Sequence, residues 1–338
     1  MTHGKLTFLR KLAAHGAAAL GALSIMALPA AAEPYTVRVL AGAPGYDIIP
    51  AYIAHDLGIW EKYGLKVEFS GGNYVRTAQM TQTGDYDVAY TSPAGVIKTS
   101  AAGLPSQLVG MSSTNCTLVI VHPSVKEWSD LKGKRFGIVT KYDVFDMTLR
   151  KHILPRHGLK ETDLQYVQVP MAEAATAIMN GSVAGAIPFE PYGTFAVGQG
   201  AKLMLAAKDL TDKSALGSEM IKVGLAMTSK FIAEHPELAR KIVWAHLDAT
   251  EILRSEKARA IEVLKKNNPK MDPALIEAGY DSCGWELKQP PRIWIETLVK
   301  WMLEDKTISR KVPYEEVVNV SFQEGYPGYP GWEKRPKN

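Results

Sequence analysis

Apolar and polar positions along the chain change period repeatedly, from strand-like to helical and back. Thr36-Val37-Arg38-Val39-Leu40-Ala41-Gly42 reads as a strand, and Leu65 to Gly72 as a second. Between them, Asp47 to Leu57 carries Ile49, Tyr52, Ile53 and Leu57 at helical spacing. Asp47 is a candidate cap, Pro50 sits in the first turn where its missing N–H matters little, and Gly58 suits the left-handed closing position. The resulting βαβ unit predicts two loops, Ala43 to Asp47 and Gly71 to Asn73, at the carboxyl ends of parallel strands. Open α/β sheets bind ligands there. Asn73 is the candidate cap of a helix that runs to Thr83 and closes at Gly84. Asp87 to Tyr90 is a third strand, and the hydroxyl-rich turn Thr91-Ser92-Pro93-Ala94-Gly95 opens a helix through Ser100. Gln107 to Met111 reads as a strand, Ser112-Ser113-Thr114-Asn115 as a polar loop, and Thr117 to Val121 as the next strand.

The same grammar then recurs. Arg135 to Val139 is a strand ending at Thr140-Lys141-Tyr142-Asp143, with a helix behind it to about Leu154. Leu164 to Val169 is a strand, and Ala172 to Met179 is a helix closed by Asn180-Gly181. Val183 to Ile187 is a strand running into Pro188-Phe189-Glu190-Pro191-Tyr192, and a further helix continues to Gln199. Ile221 to Met227 is apolar enough for a strand that crosses back. From Ser229 the pattern is helical, with Phe231, Ala239, Ile242, Val243, Ala245 and Ile252 as core candidates and Pro236 opening a segment. Pro291 to about Glu304 is another helix, in which Trp294, Leu298 and Trp301 fall on one face as core. Gly325 to Trp332 is a Pro/Gly/aromatic tail, either extended on the surface or without fixed structure. The fold class expected is α/β, in two lobes of like construction, each a mixed, mainly parallel sheet flanked by helices.

Residues 1–32 stand apart from this pattern. Lys5, Arg10 and Lys11 precede an uncharged Ala/Leu-rich run, and Ala30-Ala31-Ala32 forms a small-residue cleavage site, so the segment reads as a signal peptide and the mature protein as periplasmic. Removing three positive charges and no acids takes the formal net charge from +4 to +1. Such a balance argues against nucleic acid as a partner. The mature length calls for more than one core. Cys116 and Cys283 either form a disulfide, which an oxidising compartment allows, or remain separate buried thiols.

Several stretches resemble one family. Ile59-Trp60-Glu61-Lys62-Tyr63-Gly64-Leu65-Lys66-Val67, Gly84-Asp85 with Asp87-Val88-Ala89, Asp130-Leu131-Lys132-Gly133-Lys134, and His235-Pro236-Glu237 are similar to signature stretches of periplasmic substrate-binding proteins for nitrate, taurine, aliphatic sulfonates and thiamine pyrimidine precursors. The resemblance implies a two-lobed periplasmic-binding-protein fold of type II that closes on a small molecule and delivers it to an ABC permease. Expected divisions are 33–114 for the first part of lobe 1, 115–222 for lobe 2, 223–325 for the return to lobe 1, and 326–338 for the tail. A monomer is expected, with a small-molecule ligand and the permease as partners and no cofactor. A sensor that presents its ligand to a membrane receptor is the alternative role. Sulfonate and nitrate binders of this family commonly have a Gly/Ser-rich turn at the second-lobe helix start, where bare N–H groups hold the anion. Here Thr140-Lys141-Tyr142-Asp143-Val144-Phe145-Asp146 stands in that place, and its carboxylates argue against an anion.

If both lobes turn the carboxyl ends of their strands toward one cleft, its wall consists of Tyr46, Asp47, Asn73, Thr91, Ser92, Ser113, Thr114, Tyr142, Asp143, Glu190 and Tyr192. Hydroxyls would orient a ligand, rings would sandwich it, and carboxylates would pair with an amine. Asp47, Asn73 and Asp143 serve equally well as helix caps. Glu190, between Phe189 and Pro191, has no evident structural partner in the sequence and so reads as a ligand contact. Arg76 and Lys141 are the cations that would suit an anion. A planar or amine-bearing ligand is favoured over taurine or another sulfonate. No catalytic or metal residue is assigned and no enzyme is expected: the chain lacks a G-x-S-x-G elbow, a Walker sequence and a complete G-x-G-x-x-G, and His152 and His157 lack metal-ligand spacing.

Overall fold

The computed structural model describes residues 35–328 except 73, 207–208, 210–219 and 286–288. The signal-peptide expectation, Asn73 and the end of the tail therefore lie outside the described residues. So does the side chain of Thr114.

The opening unit forms where the sequence places it. β1 (Thr36–Leu40) pairs in parallel with β2 (Lys66–Ser70) and with β3 (Val88–Thr91). Between β1 and β2 lie α1 (Ile49–Asp56) and the short α2 (Ile59–Lys62), separated by Gly58 at φ 62°, a left-handed conformation that glycine adopts without a Cβ penalty. One detail departs from expectation: Asp47 does not cap α1. The residue before the helix is Ile48, and no side chain accepts a bond from the first turn. After α3 (Tyr74–Thr83), β3 leads to α4 (Pro93–Ala101), which Ser92 does cap by accepting the Gly95 N–H.

β4 (Ser106–Asn115) is longer than its apolar run suggests, because Ser112 to Asn115 continues the strand rather than forming a loop. β10 (Ile221–Thr228) pairs antiparallel with β4 and β3, and that ladder extends the polar segment to Thr114. The first sheet has the order β11-β4-β10-β3-β1-β2, with β11 (Cys283–Gly284) at its edge. The second contains β5 (Val119–Val121), β6 (Arg135–Ile138), β7 (Gln165–Gln168), β8 (Gly185–Ala186) and β9 (Lys202–Leu205) in the order β7-β6-β8-β5-β9. Both sheets are mixed. Most strands of each point one way, β1, β2, β3 and β4 in the first and β6, β7, β8 and β9 in the second, with β10, β11 and β5 running the other way.

Behind β6 a continuous helix runs from Val144 to Arg156: α5 (Val144–Thr148), one π-type turn over Leu149–Ile153, and α6 (Leu154–Arg156). α7 (Ala174–Met179) and α8 (Tyr192–Gly198) flank the same sheet. The C-terminal part is helical: α9 (Ser229–Glu234), α10 (Pro236–Ser255), α11 (Lys257–Asn267), α12 (Pro273–Gly279), α13 (Arg292–Glu304) and α14 (Tyr314–Val317). α10 buries Ala239, Ile242, Val243, Ala245 and Ile252 against α1, as the periodicity predicts. Trp294, Leu298 and Trp301 of α13 are buried in the second large core, together with residues of α4, β4 and α5. Tyr326 is docked rather than loose, its hydroxyl donating to Asp248 at 2.6 Å.

Cys116 and Cys283 form a disulfide, with Cα atoms 4.4 Å apart and a sequence separation of 167. The bond ties the first residue after β4, where the chain leaves the first sheet for the second, to that sheet's own edge strand. Loop-closure entropy for a separation of that size sets an upper bound of about 5 kcal/mol on the stabilisation. Titration of denatured, unreduced protein should therefore find no free thiol, and the double variant Cys116→Ser/Cys283→Ser should unfold at lower urea. Two free thiols would refute the bond.

Candidate functional site

The carboxyl ends of the parallel strands of the two sheets face one another. The loop after β1 meets the segment after β8 through a backbone bond, Tyr46 N–H to Glu190 C=O at 2.9 Å. A side-chain bridge lies beside it: the Tyr192 hydroxyl donates to Asn268 Oδ1 at 3.3 Å, while Asn268 Nδ2 donates to Pro44 C=O at 2.8 Å. Gly45 is required at this junction, because a Cβ there would stand 2.5 Å from the Phe189 ring and 2.9 Å from Asp47 Oδ1.

Buried polar atoms without partners gather at this junction and at the nearby crossing between sheets. Asp47 is wholly buried, and neither of its carboxylate oxygens meets a hydrogen-bond donor from another residue; only its own N–H lies near enough to count. Ser112 Oγ, Ser113 Oγ, Thr117 Oγ1 and Asp143 Oδ2 are likewise buried without partners among the described residues. Native proteins pair nearly all such atoms, so a cluster of exceptions marks where something else binds. Burial shows in their proton affinities. Desolvation pushes the Asp47 carboxyl up to about 7. It does the same to Asp143, also to about 7, against the opposing hydrogen bond from Asp146 N–H.

The expected wall residues divide into three groups. Asp47, Ser113 and Asp143 present unpartnered oxygens. Asp143 also caps α5, accepting the Asp146 N–H at 2.8 Å, so cap and free oxygen coexist in one carboxylate. Thr91 and Ser92 are buried at the end of β3, where Ser92 is occupied as a cap. Tyr142 ends the loop after β6 in a left-handed conformation, φ 64°, which costs a non-glycine residue about 1–2 kcal/mol. Its ring is partly exposed beside Lys141 and Arg150. Tyr192 is buried edge-on to Phe189.

Two expectations need correction. Tyr46 does not offer its phenol to a cleft: it is fully buried, donates to Ile276 C=O at 2.7 Å, and packs against Tyr280 and Trp285. Glu190 is not short of partners. It accepts Thr194 N–H at 2.9 Å and Thr194 Oγ1–H at 2.8 Å, holding the first turn of α8, and desolvation raises its pKa despite those bonds.

The structure adds Lys222, which the sequence reading passed over as part of an apolar strand. It is completely buried, donates to Thr148 Oγ1 at 2.8 Å, and lies 5.3 Å from the centroid of Phe145. Desolvation lowers its pKa to about 7, with Asp143 acting in the opposite sense. The detectable signal was a lysine between Ile221 and Val223 inside a strand with no polar alternation. Phe145 stacks toward Phe189, so an aromatic wall runs from Lys222 to the Asp47 loop. Side chains could hold an amine at Asp47 and a polar or acidic group near Lys222. Among the described residues no cluster of His, Cys, Asp and Glu could hold a metal.

Open hollows occur elsewhere, such as one of about 410 Å³ around Tyr35, Arg38, Asp87 and Phe231, at the amino ends of β1 and β3. Arg38 there is paired with Asp85 and Asp87. The unpartnered groups, not the hollows, locate the site.

Two sheets joined at a crossing, with ligand-type groups where their strand ends meet, define the two-lobed periplasmic-binding-protein fold. Residues 46–260 match the model of the family described as NMT1/THI5 like, and the chain belongs to that family. A chain of Brucella abortus (strain 2308), named provisionally as a binding protein, is 26% identical over 285 residues, covering 82% of this chain and 83% of that one. The periplasmic aliphatic sulphonate binding protein of Escherichia coli superposes with a TM-score of 0.69 at 19% identity, covering 84% of this chain and 92% of its own. The periplasmic nitrate-binding protein of Synechocystis PCC 6803 gives 0.70 at 14% identity, covering 87% and 88%.

The buried carboxyls predict a pH signature. Because the folded pKa of Asp47 lies above its unfolded value, the folded state binds its proton more tightly, and stability falls as pH rises from about 4 through 7. Lys222 acts oppositely, adding stability as pH rises above about 7. Asp47→Asn should remove the Asp47 contribution and raise ligand-free stability at pH 8 by roughly 2–4 kcal/mol, with little gain at pH 4.5. Urea melts of both proteins at the two pH values measure it. Equal differences at both would show that Asp47 titrates normally.

Proposed function

We propose that this chain is the periplasmic solute-binding component of an ABC uptake system, closing two lobes on a small organic ligand that carries an amine. Supporting the reading are the family, the likeness to periplasmic binding proteins in fold, and the exported-protein pattern of residues 1–32. The observation that carries the ligand class is Asp47, a buried carboxylate without a donor at the lobe junction. An ammonium group would pair with it, and the rings of Phe189 and Tyr192 next to that loop suit a cation or a planar body. The lobes we assign are 33–114 with 223–325, and 115–222; the strands of each sheet follow this division except at its edges, where β4 runs to Asn115 and β10 starts at Ile221. Closure needs a ligand that touches both lobes, since only differential affinity moves an open–closed equilibrium. The role is binding and delivery to a permease, not turnover.

A second reading is an anion, favoured by Lys222 and by the sulfonate and nitrate binders among the similar structures. Against it stand the unpartnered oxygens of Asp47 and Asp143, which would repel a sulfonate.

A thermal-shift screen of mature protein against primary amines, amine-bearing heterocycles, taurine and alkanesulfonates separates the readings. Ligand at one hundred times its dissociation constant adds about 2.7 kcal/mol of stability. Amine-bearing compounds should stabilise the protein more at pH 8 than at pH 5.5, because Asp47 must be ionised, and Asp47→Asn should abolish the shift. If alkanesulfonates without an amine stabilise the protein and its Asp47→Asn variant equally, the amine reading fails. If nothing in the screen shifts it, the binding role fails with it.

A further inference from the structure

The buried charges around Arg150 join the helix behind β6 to the end of α13 through contacts other than those of the Tyr46–Glu190 junction. Arg150 and Lys151 lie in the π-type turn of the helix behind β6, in the second-sheet lobe. Asp305 follows the last residue of α13. α13 is bonded to the first sheet, Trp294 Nε1 donating to Ile221 C=O of β10 at 2.9 Å, and it shares one core with α4 and with α5 of the second-sheet lobe. Arg150 Nη2 reaches Asp305 Oδ2 at 2.7 Å, and Lys151 Nζ reaches Asp305 Oδ1 at 2.8 Å. Within its own lobe Arg150 also holds Asp146 at 3.0 Å and Glu161 at 2.8 Å. The Arg150 and Asp305 side chains are only 5% and 8% exposed, so these pairs are shielded from water and salt.

Asp305 is anomalous by helix electrostatics. An acid at a helix carboxyl end faces the negative pole of the dipole and should be disfavoured. Its burial raises the cost of ionisation further, yet the bonds from Arg150 and Lys151 outweigh it and hold its pKa below the ordinary value. A charge kept there against two opposing effects calls for a role that its own helix does not provide.

We infer that Asp305 with Arg150 and Lys151 forms a clasp that holds the lobes together and sets how often they separate. The clasp is wired to the cleft. Asp146, which Arg150 holds, accepts the Tyr142 N–H at 2.6 Å and gives its own N–H to Asp143. A ligand engaging Asp143 therefore sits two residue-to-residue bonds from the clasp, through Asp146. The charge count also makes the clasp separable from folding. Without Asp305, Arg150 and Lys151 remain balanced by Asp146 and Glu161, Lys151 lying 3.4 Å from Glu161, so no uncompensated charge is left buried on that side.

The inference rests on lobe closure as read above but not on the identity of the ligand. Amide hydrogen exchange in the ligand-free mature chain tests it, with Tyr46 N–H, which donates across the lobes, as reporter. Ala41 N–H, bonded to Ser70 C=O, and Gln165 N–H, bonded to Lys134 C=O, are controls within each sheet. In Asp305→Asn the Tyr46 amide should exchange about tenfold faster or more, while both controls keep their rates. Glu304→Gln, altering an exposed acid on the same helix end, should change none of the three. If Tyr46 exchanges faster than the controls in both proteins but equally in each, closure stands and the clasp is refuted. A rise in all three amides of Asp305→Asn would also refute it, showing general destabilisation instead. Should Tyr46 in the unaltered protein exchange no faster than the controls, the lobes do not part separately, and the closure reading fails too.

Discussion

A single backbone bond, Tyr46 N–H to Glu190 C=O, holds the loop after β1 against the segment after β8, and much of the site depends on the closeness it enforces. At that separation position 45 admits no side chain, because Phe189 occupies the space a Cβ would need. Water is excluded from Asp47, whose carboxyl is driven up toward neutrality as a result. The same closeness places the Tyr192 hydroxyl on Asn268, so the loop ending at Asp47, the start of α8 and the end of α11 form one contact. The Tyr46 ring, turned away into the first core, anchors the loop from behind through Ile276. Its contribution is to position Asp47, not to touch what Asp47 meets.

The disulfide and the Arg150 cluster sit at other points of the boundary between the sheets and constrain it differently. Cys116 is the first residue to leave β4, in a left-handed conformation at φ 46°, and its carbonyl accepts the Glu190 N–H at 3.0 Å. The disulfide fixes Cys116 to the edge strand at the point where the chain leaves the first sheet. Thr117 bridges to Phe189, which connects this crossing to the same segment that carries Glu190. The Arg150 cluster lies between the end of α13 and the helix behind β6. Glu190 is therefore held at two points, its N–H by Cys116 C=O and its C=O by Tyr46 N–H.

Local sequence made the elements legible. Gly58 and Gly84 fall at left-handed positions after helices, Ser92 and Asp143 cap, and Pro236 opens a helix, because each of these depends on a few neighbouring residues. The site was legible only in outline. That the loops after β1 and β6 carry candidate groups follows from topology, and Asp47 and Asp143 were named on that ground, whereas Ser113 was named from a polar stretch that is the end of β4. Whether a given side chain turns outward or inward is decided by tertiary packing, which the local pattern does not contain. Tyr46 was misjudged because its partners, Ile276, Tyr280 and Trp285, lie more than two hundred residues away. Glu190 was misjudged for the opposite reason: its partner Thr194 is one helical turn on, a capping pattern obscured by the intervening Pro191. Lys222 escaped notice because a strand period assigns faces but does not say that both faces of β10 are covered.

The buried groups left without partners bear on stability and on binding in opposite senses. A carboxyl raised from an ordinary value to about 7 has lost on the order of 4 kcal/mol of ionisation free energy to desolvation at neutral pH. Replacing it by a neutral or apolar group would stabilise the ligand-free fold, so packing gives no reason for its presence. A cationic ligand would recover part of that energy, because an ion pair in a water-excluded site is stronger than at the surface. Lys222 illustrates the alternative arrangement. Thr148 and Asp143 already answer its charge in part, and it has less to gain from a ligand than Asp47 does. On the proposed reading the polarity of the site is therefore set by Asp47, and the rest of the wall shapes what accompanies the charge.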